Sequence, residues 1–142
     1  MLDLTKSAVD VGIVVANLEA QRGFYGDVLG LPYAGVLSVP GGKVHVYICG
    51  ETLIKLYKMS EGAPVDVAAF GTRAGLSYFT LSLRDLGGTF EKLREKGATV
   101  LAEPGLFEGD RELAAPVGRL KARFALVADA DGNMVELFEY VD

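Results

Sequence analysis

Side chains that can do chemistry recur at every second position in several strand-like stretches. Successive side chains of a β-strand point to opposite faces, so residues two apart share a face. In each stretch one phase is wholly or mainly apolar, and the other mixes ionisable with large apolar groups. A carboxylate, an ammonium and a phenol on such faces can move protons and stabilise developing charge. The mixed phases are Asp10, Gly12 and Val14; Lys43, His45, Tyr47 and Cys49; Leu53, Lys55 and Tyr57; Tyr78, Thr80 and Ser82; and Met134, Glu136 and Phe138.

The mixed faces have two interpretations. A half-solvated antiparallel sheet is common and would leave them facing water. An enclosed cup would instead combine apolar walls with a few polar groups, as ligand sites do. We favour the cup, because so many large apolar side chains on an open face would be costly in water. The wholly apolar phases are then expected to face the helices and form the core.

Two parts of the chain, residues 9–31 and 78–97, resemble each other as strand-then-helix units followed by hairpin-like sequence. Such a unit cannot bury its curved sheet alone, and packing two of them creates a cup. The sequence therefore predicts an α+β fold of two βαβββ modules that form a curved mixed sheet around a cup-shaped cavity. We expect a single domain over 1–142, with module one at about 8–58, a linker at 59–75 and module two at about 76–140.

Cap residues and turn chemistry place the elements. Asn17 and Asp85 are predicted N-caps, and Gly30 and Gly97 can take the left-handed conformation that ends a helix. Residues 103–121 are rich in Gly, Pro and charge, which predicts a long loop. The first helix is predicted at 18–29, and strands are predicted at 33–39, 43–49, 52–58, 99–102, 123–128 and 134–140.

Composition excludes several classes of partner. The chain has 142 residues, of which 50% are hydrophobic, enough for a well-filled core. Its formal charge of −5, without a basic run, argues against nucleic acid or an anionic membrane surface as partner. Cys49 is the only cysteine, so no internal disulfide can form, and no stretch reads as a transmembrane helix or signal peptide. We expect a cytoplasmic protein.

The motifs VGIVVANLEA at 11–20 and FYGDVLGL at 24–31 resemble the opening of the vicinal oxygen chelate superfamily. DADGNMVEL at 129–137 is similar to the closing hairpin of that family. The superfamily contains glyoxalase, methylmalonyl-CoA epimerase, extradiol dioxygenases, and the bleomycin and fosfomycin resistance proteins. The resemblance covers nearly the whole chain and is specific for fold, whereas fold alone does not fix the reaction.

The resemblance implies four cup-facing ligand positions in metal-dependent members, and these map onto Asp10, Lys55, Tyr78 and Glu136. The usual residues there are His, Glu, Gln or His, and Glu, so only Glu136 is unaltered. An ammonium has no lone pair for a metal, which excludes Lys55 as a ligand. His45 is the only histidine, so a two-histidine site cannot form within one subunit. We therefore expect neither a metal nor another cofactor.

All four positions remain ionisable, which favours metal-free acid–base chemistry. Asp10 or Glu136 would remove a proton next to a carbonyl group, while Lys55 and Tyr78 would stabilise the oxyanion that develops. The alternative is that Lys55 pairs with Glu136 only to satisfy two buried charges.

A second set of residues is predicted to bind substrate along the cup. His45 could also be only a polar wall residue, and Arg123, whose strand phase is open, could lie at a rim and bind an anionic substrate. Cys49 is expected to be a small wall residue, since no activating base accompanies it. The predicted substrate-binding residues are His45, Tyr47, Tyr57, Thr80, Arg123, Met134 and Phe138.

Three functions are compatible with these residues. The first is a metal-independent isomerase, epimerase or lyase acting on a small oxygenated molecule. The second is a non-catalytic protein that sequesters a small molecule, as in drug resistance. The third is a divalent-metal enzyme with an atypical ligand set. The ionisable cup favours the first, the partner is expected to be a small molecule, and a homodimer is expected because the family commonly dimerises.

Overall fold

The computed structural model describes residues 1–141, so Asp142, the last residue of the predicted domain, lies outside the described part. The chain forms two compact units, the first covering Met1–Val67 and the second beginning at Ala68. No helix within residues 1–141 has the length and apolar character needed to cross a membrane. The elements are β1 (Val11–Val14), α1 (Leu18–Arg22), a π-helical segment (Gly23–Val28), β2 (Tyr33–Val39), β3 (Gly42–Cys49), β4 (Thr52–Met59), β5 (Tyr78–Ser82), α2 (Leu86–Glu95), β6 (Thr99–Glu112), β7 (Arg119–Ala128) and β8 (Met134–Tyr140).

The first unit is a four-stranded mixed sheet in the order β1-β4-β3-β2. β1 runs parallel to β4, while the β2–β3 and β3–β4 pairs are antiparallel. The helical segment between β1 and β2 supplies Phe24 and Tyr25 to the core, β4 supplies Ile54 and Leu56, and Val15 adds to it directly after β1. Burial of these apolar side chains is the main stabilising contribution in this unit.

The second unit repeats this topology with the order β5-β8-β7-β6. β5 is parallel to β8, and α2 packs on the sheet through Leu86, Phe90 and Leu93, all buried. Val135 and Leu137 of β8 are also buried, and α2 contacts β8. The predicted α+β fold of two βαβββ modules is confirmed.

The predicted helix caps are also confirmed. The Asn17 side chain accepts a hydrogen bond from the backbone N–H of Ala20 at 3.1 Å, and Asp85 accepts one from Gly88 at 2.9 Å. Gly30 has a φ of +73° and Gly97 a φ of +85°, which is the left-handed region that glycine enters without steric cost. Local signals therefore located both helix starts and both stops.

The first helix differs from the prediction of one α-helix over 18–29. After Arg22 the chain continues as a π-helical segment, and the N–H of Leu29 bonds the carbonyl of Phe24 at 2.9 Å, five residues back. Gly23 and Gly26 lie in this segment, and glycine has a low α-helical propensity. The wider turn is thus formed where the sequence holds the α-helix least firmly.

The predicted long loop at 103–121 is wrong. β6 and β7 form an antiparallel hairpin through most of it, and the N–H of Leu113 bonds the carbonyl of Gly118 at 2.9 Å near its tip. The pairing shifts register between Ala102 and Gly105, which is where Pro104 falls. A bulge tolerates a proline, which has no N–H to donate to the ladder. A segment with the composition of a loop can therefore form a strand.

Gly42, the first residue of β3, gives the sharpest stability prediction. A Cβ there would lie 2.2 Å from the carbonyl oxygen of Lys58 and 2.9 Å from the Cα of Met59. Because these are backbone atoms, relief requires movement of the β3–β4 pair, and Gly42→Ala should lower the free energy of unfolding by about 3 kcal/mol. Gly87→Ala is the control, since a Cβ at this helical glycine meets nothing within 4 Å. It should stabilise by up to about 1 kcal/mol. Urea unfolding of both variants measures the difference, and equal stabilities would contradict the prediction.

Candidate functional site

Strand register assigns each side chain of the first sheet to a face, because residues directly opposite one another project to the same side. Lys55 pairs with Gly12 of β1 and with Val46 of β3. Tyr57 lies opposite Val14 and Val44, so it shares the Lys55 face. A Cβ on Gly12 would come within 3.3 Å of the Tyr57 ring, which agrees with that assignment. We call this surface the Lys55 face.

His45 and Tyr47 were predicted on the Lys55 face, and the register contradicts this. His45 lies opposite Leu56 and Tyr47 lies opposite Ile54, two fully buried core residues. Both side chains therefore project toward the helix side, where the Tyr47 ring is also buried. The error has a physical source. Both phases of β3 contain bulky groups that can be buried, and a tyrosine ring packs in a core when its hydroxyl finds a partner, here the Nε of Arg22 at 3.1 Å.

The Asp10 carboxylate sits between two ammonium groups at the edge of the Lys55 face. Lys6 Nζ donates to Asp10 Oδ1 at 2.6 Å, and Lys55 Nζ lies 3.9 Å from Oδ2. The backbone N–H of Leu53 donates to Oδ1 at 2.9 Å. The structure thus brings together two of the predicted site residues, Asp10 and Lys55. Lys6 was not predicted, and its spacing from Asp10 gave no signal, because residues four apart meet regularly only on a helix and residues 6–10 are not helical.

These contacts lower the pKa of Asp10. The hydrogen bond from Lys6 is the largest cause, followed by that from the Leu53 amide, and both favour the ionised carboxylate. Asp10 is therefore an ion-paired carboxylate with little tendency to take a proton at neutral pH. Of the two predicted proton acceptors, it is the weaker candidate.

The titration of Asp10 gives a direct test. Its midpoint, followed by NMR of the side-chain carboxyl carbon, should fall below the ordinary 3.8. Since the folded-state pKa is lowered, the associated stabilisation is present above about pH 4 and is lost as the pH falls further. Lys6→Met should raise the midpoint, whereas Lys92→Met on α2 should leave it unchanged. If the Asp10 midpoint is the same in Lys6→Met as in the parent, the 2.6 Å contact does not persist in solution.

The second sheet brings together another pair of predicted residues. Thr80 lies directly opposite Glu136, and its hydroxyl donates to Glu136 Oε1 at 2.7 Å. Tyr78 is on the same face, two residues before Thr80, with its side chain 46% exposed. Met134 and Phe138 also share this face, which we call the Glu136 face, because they lie opposite Tyr78 and Ser82 in the β5–β8 pair.

Arg123 does not share the Glu136 face. It lies opposite Glu139, and the β7–β8 register puts both in the phase of the buried Ala125 and Leu137. Glu139 in turn accepts a hydrogen bond from the Leu86 N–H at the start of α2, so this phase is the helix side. The open question of the Arg123 phase is thereby decided against a position on the Glu136 face.

The residues at the four implied ligand positions do not fit a metal ion. Lys55 places an ammonium beside the first carboxylate, and Asp10 already accepts hydrogen bonds from Lys6 and Leu53. Within residues 1–141, no three His, Cys, Asp or Glu side chains cluster closely enough to hold a metal. Neither the Asp10 and Lys55 positions of the first unit nor the Tyr78 and Glu136 positions of the second supply the ligand count that a divalent cation needs.

The fold and these motifs agree with a family match. Residues 8–137 match the model of the Glyoxalase/Bleomycin resistance protein/Dioxygenase superfamily, and the chain belongs to this superfamily. A protein of Synechocystis sp. named probable lactoylglutathione lyase is 28% identical over 133 residues, which span 89% of this chain and 90% of the relative.

Solved structures show the same fold at low identity. A glyoxalase family protein from Bacillus cereus superposes with a TM-score of 0.72 at 17% identity, covering 99% of this chain and 97% of the other. A mutant glyoxalase I from Zea mays superposes with a TM-score of 0.70 at 19% identity, covering 94% of this chain and 44% of that one. At such identity the likeness establishes architecture rather than reaction.

Proposed function

We propose that this protein is a metal-independent isomerase, epimerase or lyase that acts on a small oxygenated molecule by acid–base chemistry. The observation that carries the proposal is the Lys55 ammonium, 3.9 Å from Asp10 at an implied ligand position. A fixed cation can stabilise a developing oxyanion, as a metal ion would, without requiring lone-pair donors from the protein.

We assign a distinct role to each residue. The Glu136 carboxylate takes the proton from a carbon next to the substrate carbonyl, and the Thr80 hydroxyl holds that carboxylate in place. The electron pair of the broken C–H bond moves to the carbonyl oxygen, where Lys55 and Tyr78 stabilise the negative charge. Glu136 then returns the proton to a neighbouring carbon, or the enolate expels a leaving group. Asp10 positions Lys55 and is not the base.

Proton exchange with solvent tests this function. The protein is incubated with S-lactoylglutathione in deuterated water, a compound chosen because the Synechocystis relative is named for a lactoylglutathione lyase. Deuterium at the carbon next to the thioester carbonyl, detected by NMR, or conversion of the compound, would support acid–base chemistry. A ligand that binds stably, remains unchanged and exchanges no proton would contradict the catalytic proposal.

The last outcome would favour the second candidate, a protein that sequesters a small molecule. The observation in its support is the apolar character of the faces, since Leu53, Tyr57 and Phe138 accompany the ionisable groups there. Apolar walls with few polar groups suit binding as well as catalysis. Retention of the unaltered ligand through gel filtration distinguishes this candidate from an enzyme.

We also propose that the protein is a cytoplasmic homodimer. Several large side chains on the two sheet faces are well exposed, among them Val14 at 55% and Tyr78 at 46%. A second copy that covered such groups would remove apolar surface from water. Gel filtration with light scattering at micromolar concentration should give about twice the 15.1 kDa chain mass, and a mass near one chain would contradict the dimer.

A further inference from the structure

A cavity lies on the helix side of the first sheet, away from the Lys55 face. Its volume is about 490 Å³, within the range of small-molecule sites. One wall is the helical segment with Glu19, Arg22, Gly23 and Asp27, and the other includes Tyr33 and Tyr47. Because Tyr47 projects to the helix side of the sheet, this cavity is separate from the site proposed above.

The Arg22 side chain is fixed in this cavity by two aromatic rings. Its Nε donates to the Tyr47 hydroxyl at 3.1 Å, and its guanidinium carbon lies 4.6 Å from the centre of the Tyr33 ring. The Tyr33 hydroxyl shares a 2.9 Å hydrogen bond with Nδ1 of His45. Burial lowers the pKa of His45, with smaller contributions from Arg22 and Lys43, so the imidazole is neutral at pH 7 and its tautomer sets which of the two groups donates.

This arrangement leaves the bidentate edge of Arg22 for a ligand. Only Nε of its donors makes a side-chain hydrogen bond to the described residues, while the terminal nitrogens carry four more N–H groups. A guanidinium whose stem and ring contacts are already ordered loses little entropy when it binds a carboxylate. The carboxylate is therefore the ligand group that Arg22 suits best.

The remaining charges of the cavity select against a simple anion. Glu19 and Asp27 line the same cavity as Arg22, which gives it two carboxylates and one guanidinium, so a ligand with only negative charge would be repelled. A ligand with only positive charge would be repelled by Arg22. A molecule with both a carboxylate and a protonated amine can satisfy both signs at once.

We propose that this cavity binds a small zwitterion of the α-amino acid class, with its carboxylate on Arg22 and its ammonium toward Glu19. The side chain of the ligand lies along the Tyr33 ring, which is 43% exposed. Gly23 gives the ligand room, because a Cβ built at this position meets nothing within 4 Å.

A matched ligand series tests the proposal on the full chain. L-Phenylalanine, phenethylamine and 3-phenylpropionate share one ring and differ in charged groups, and each is titrated at pH 7 while backbone amides are followed by NMR. We expect phenylalanine to shift the amides of Gly23 and Gly26 and to bind about tenfold more tightly than either singly charged analogue. Equal binding of all three, no binding at millimolar concentration, or shifts confined to the Lys55 face would overturn the proposal.

Substitution of glycine separates filling of the cavity from unfolding. Gly23→Leu places a side chain in the cavity while keeping helical backbone, since Gly23 has φ −62° and ψ −44°. It should weaken phenylalanine binding by at least about tenfold without loss of stability. Gly87→Leu, at a helical glycine with equally open surroundings, should leave binding unchanged. Unaltered binding by a folded Gly23→Leu variant would place the ligand elsewhere.

A charge variant then tests the assigned ends of the ligand. Glu19→Gln should reduce the preference for phenylalanine over 3-phenylpropionate, because it removes a carboxylate that repels the acid and attracts the amine. Arg22→Gln should weaken the binding of phenylalanine and 3-phenylpropionate, and it should not weaken the binding of phenethylamine. An unchanged preference in Glu19→Gln, together with unchanged affinity in Arg22→Gln, would contradict the charge assignment.

Discussion

Lys55→Met is expected to lower turnover by about a hundredfold to a thousandfold, because it removes the cation that stabilises the oxyanion. Methionine retains much of the volume of the lysine stem, so the side chain still fills its place among Gly12, Val46 and Tyr57. The loss should appear mainly in kcat, since the developing charge exists only in the transition state. Steady-state kinetics on a substrate identified by proton exchange gives the measurement.

Two controls separate this effect from damage to the fold. Lys55 lies 3.9 Å from Asp10 with its side chain 34% exposed, so loss of the pair should change stability by less than about 1 kcal/mol. Lys43→Met removes a charge from the opposite phase of the same sheet and should retain parental turnover. A folded Lys55→Met variant with parental kcat would refute the assigned role of the ammonium.

Glu136→Gln is expected to reduce both turnover and solvent proton exchange by about a hundredfold to ten-thousandfold, the range typical for loss of an acid–base group. The amide keeps the shape of the carboxylate and can still accept the hydrogen bond from Thr80 through its oxygen. What disappears is the capacity to take a proton from carbon. Exchange into deuterated water reports that step even where product release limits the overall rate.

A comparison of three variants locates the function on Glu136. Glu95→Gln, on the exposed side of α2, should behave as the parent in both assays. Thr80→Val keeps the carboxylate and removes the donor at 2.7 Å, so it should reduce turnover less than Glu136→Gln does. Retention of parental exchange by Glu136→Gln would move the base to another residue, and Asp10 would have to be tested despite its lowered pKa.

The proposed separation of roles follows from the surroundings of the two carboxylates. Asp10 is held by two ammonium groups and a backbone amide, which stabilise its ionised form. Glu136 accepts a hydrogen bond from the neutral Thr80 hydroxyl. Environments of different charge give similar groups different tasks, and here they favour Glu136 as base and Asp10 as the residue that positions Lys55.

Local sequence determined much of the fold. Asn17 and Asp85 each accept a hydrogen bond from the amide three residues further along the chain, and such contacts need no distant partner. The same is true of the left-handed glycines at 30 and 97, because backbone sterics alone favour glycine there. The strands and the duplicated module could also be predicted from the sequence, because both appear as regular patterns along the chain.

Tertiary structure alone decided which face of β3 packs toward the helical segment between β1 and β2. Both phases of that strand can be buried, and the choice depends on pairing with β4, where Leu56 and Ile54 fix the helix side. Pairing likewise turned 103–121 into a hairpin, since β7 offers ladder partners that outweigh a loop-like composition. The contact of Lys6 with Asp10 also depends on how the chain before β1 is placed.

Sequence by itself thus determined the modules and the ionisable residues at positions 10, 55, 78 and 136. Register and packing decided which side chains share a face, because that depends on partners far apart in the chain.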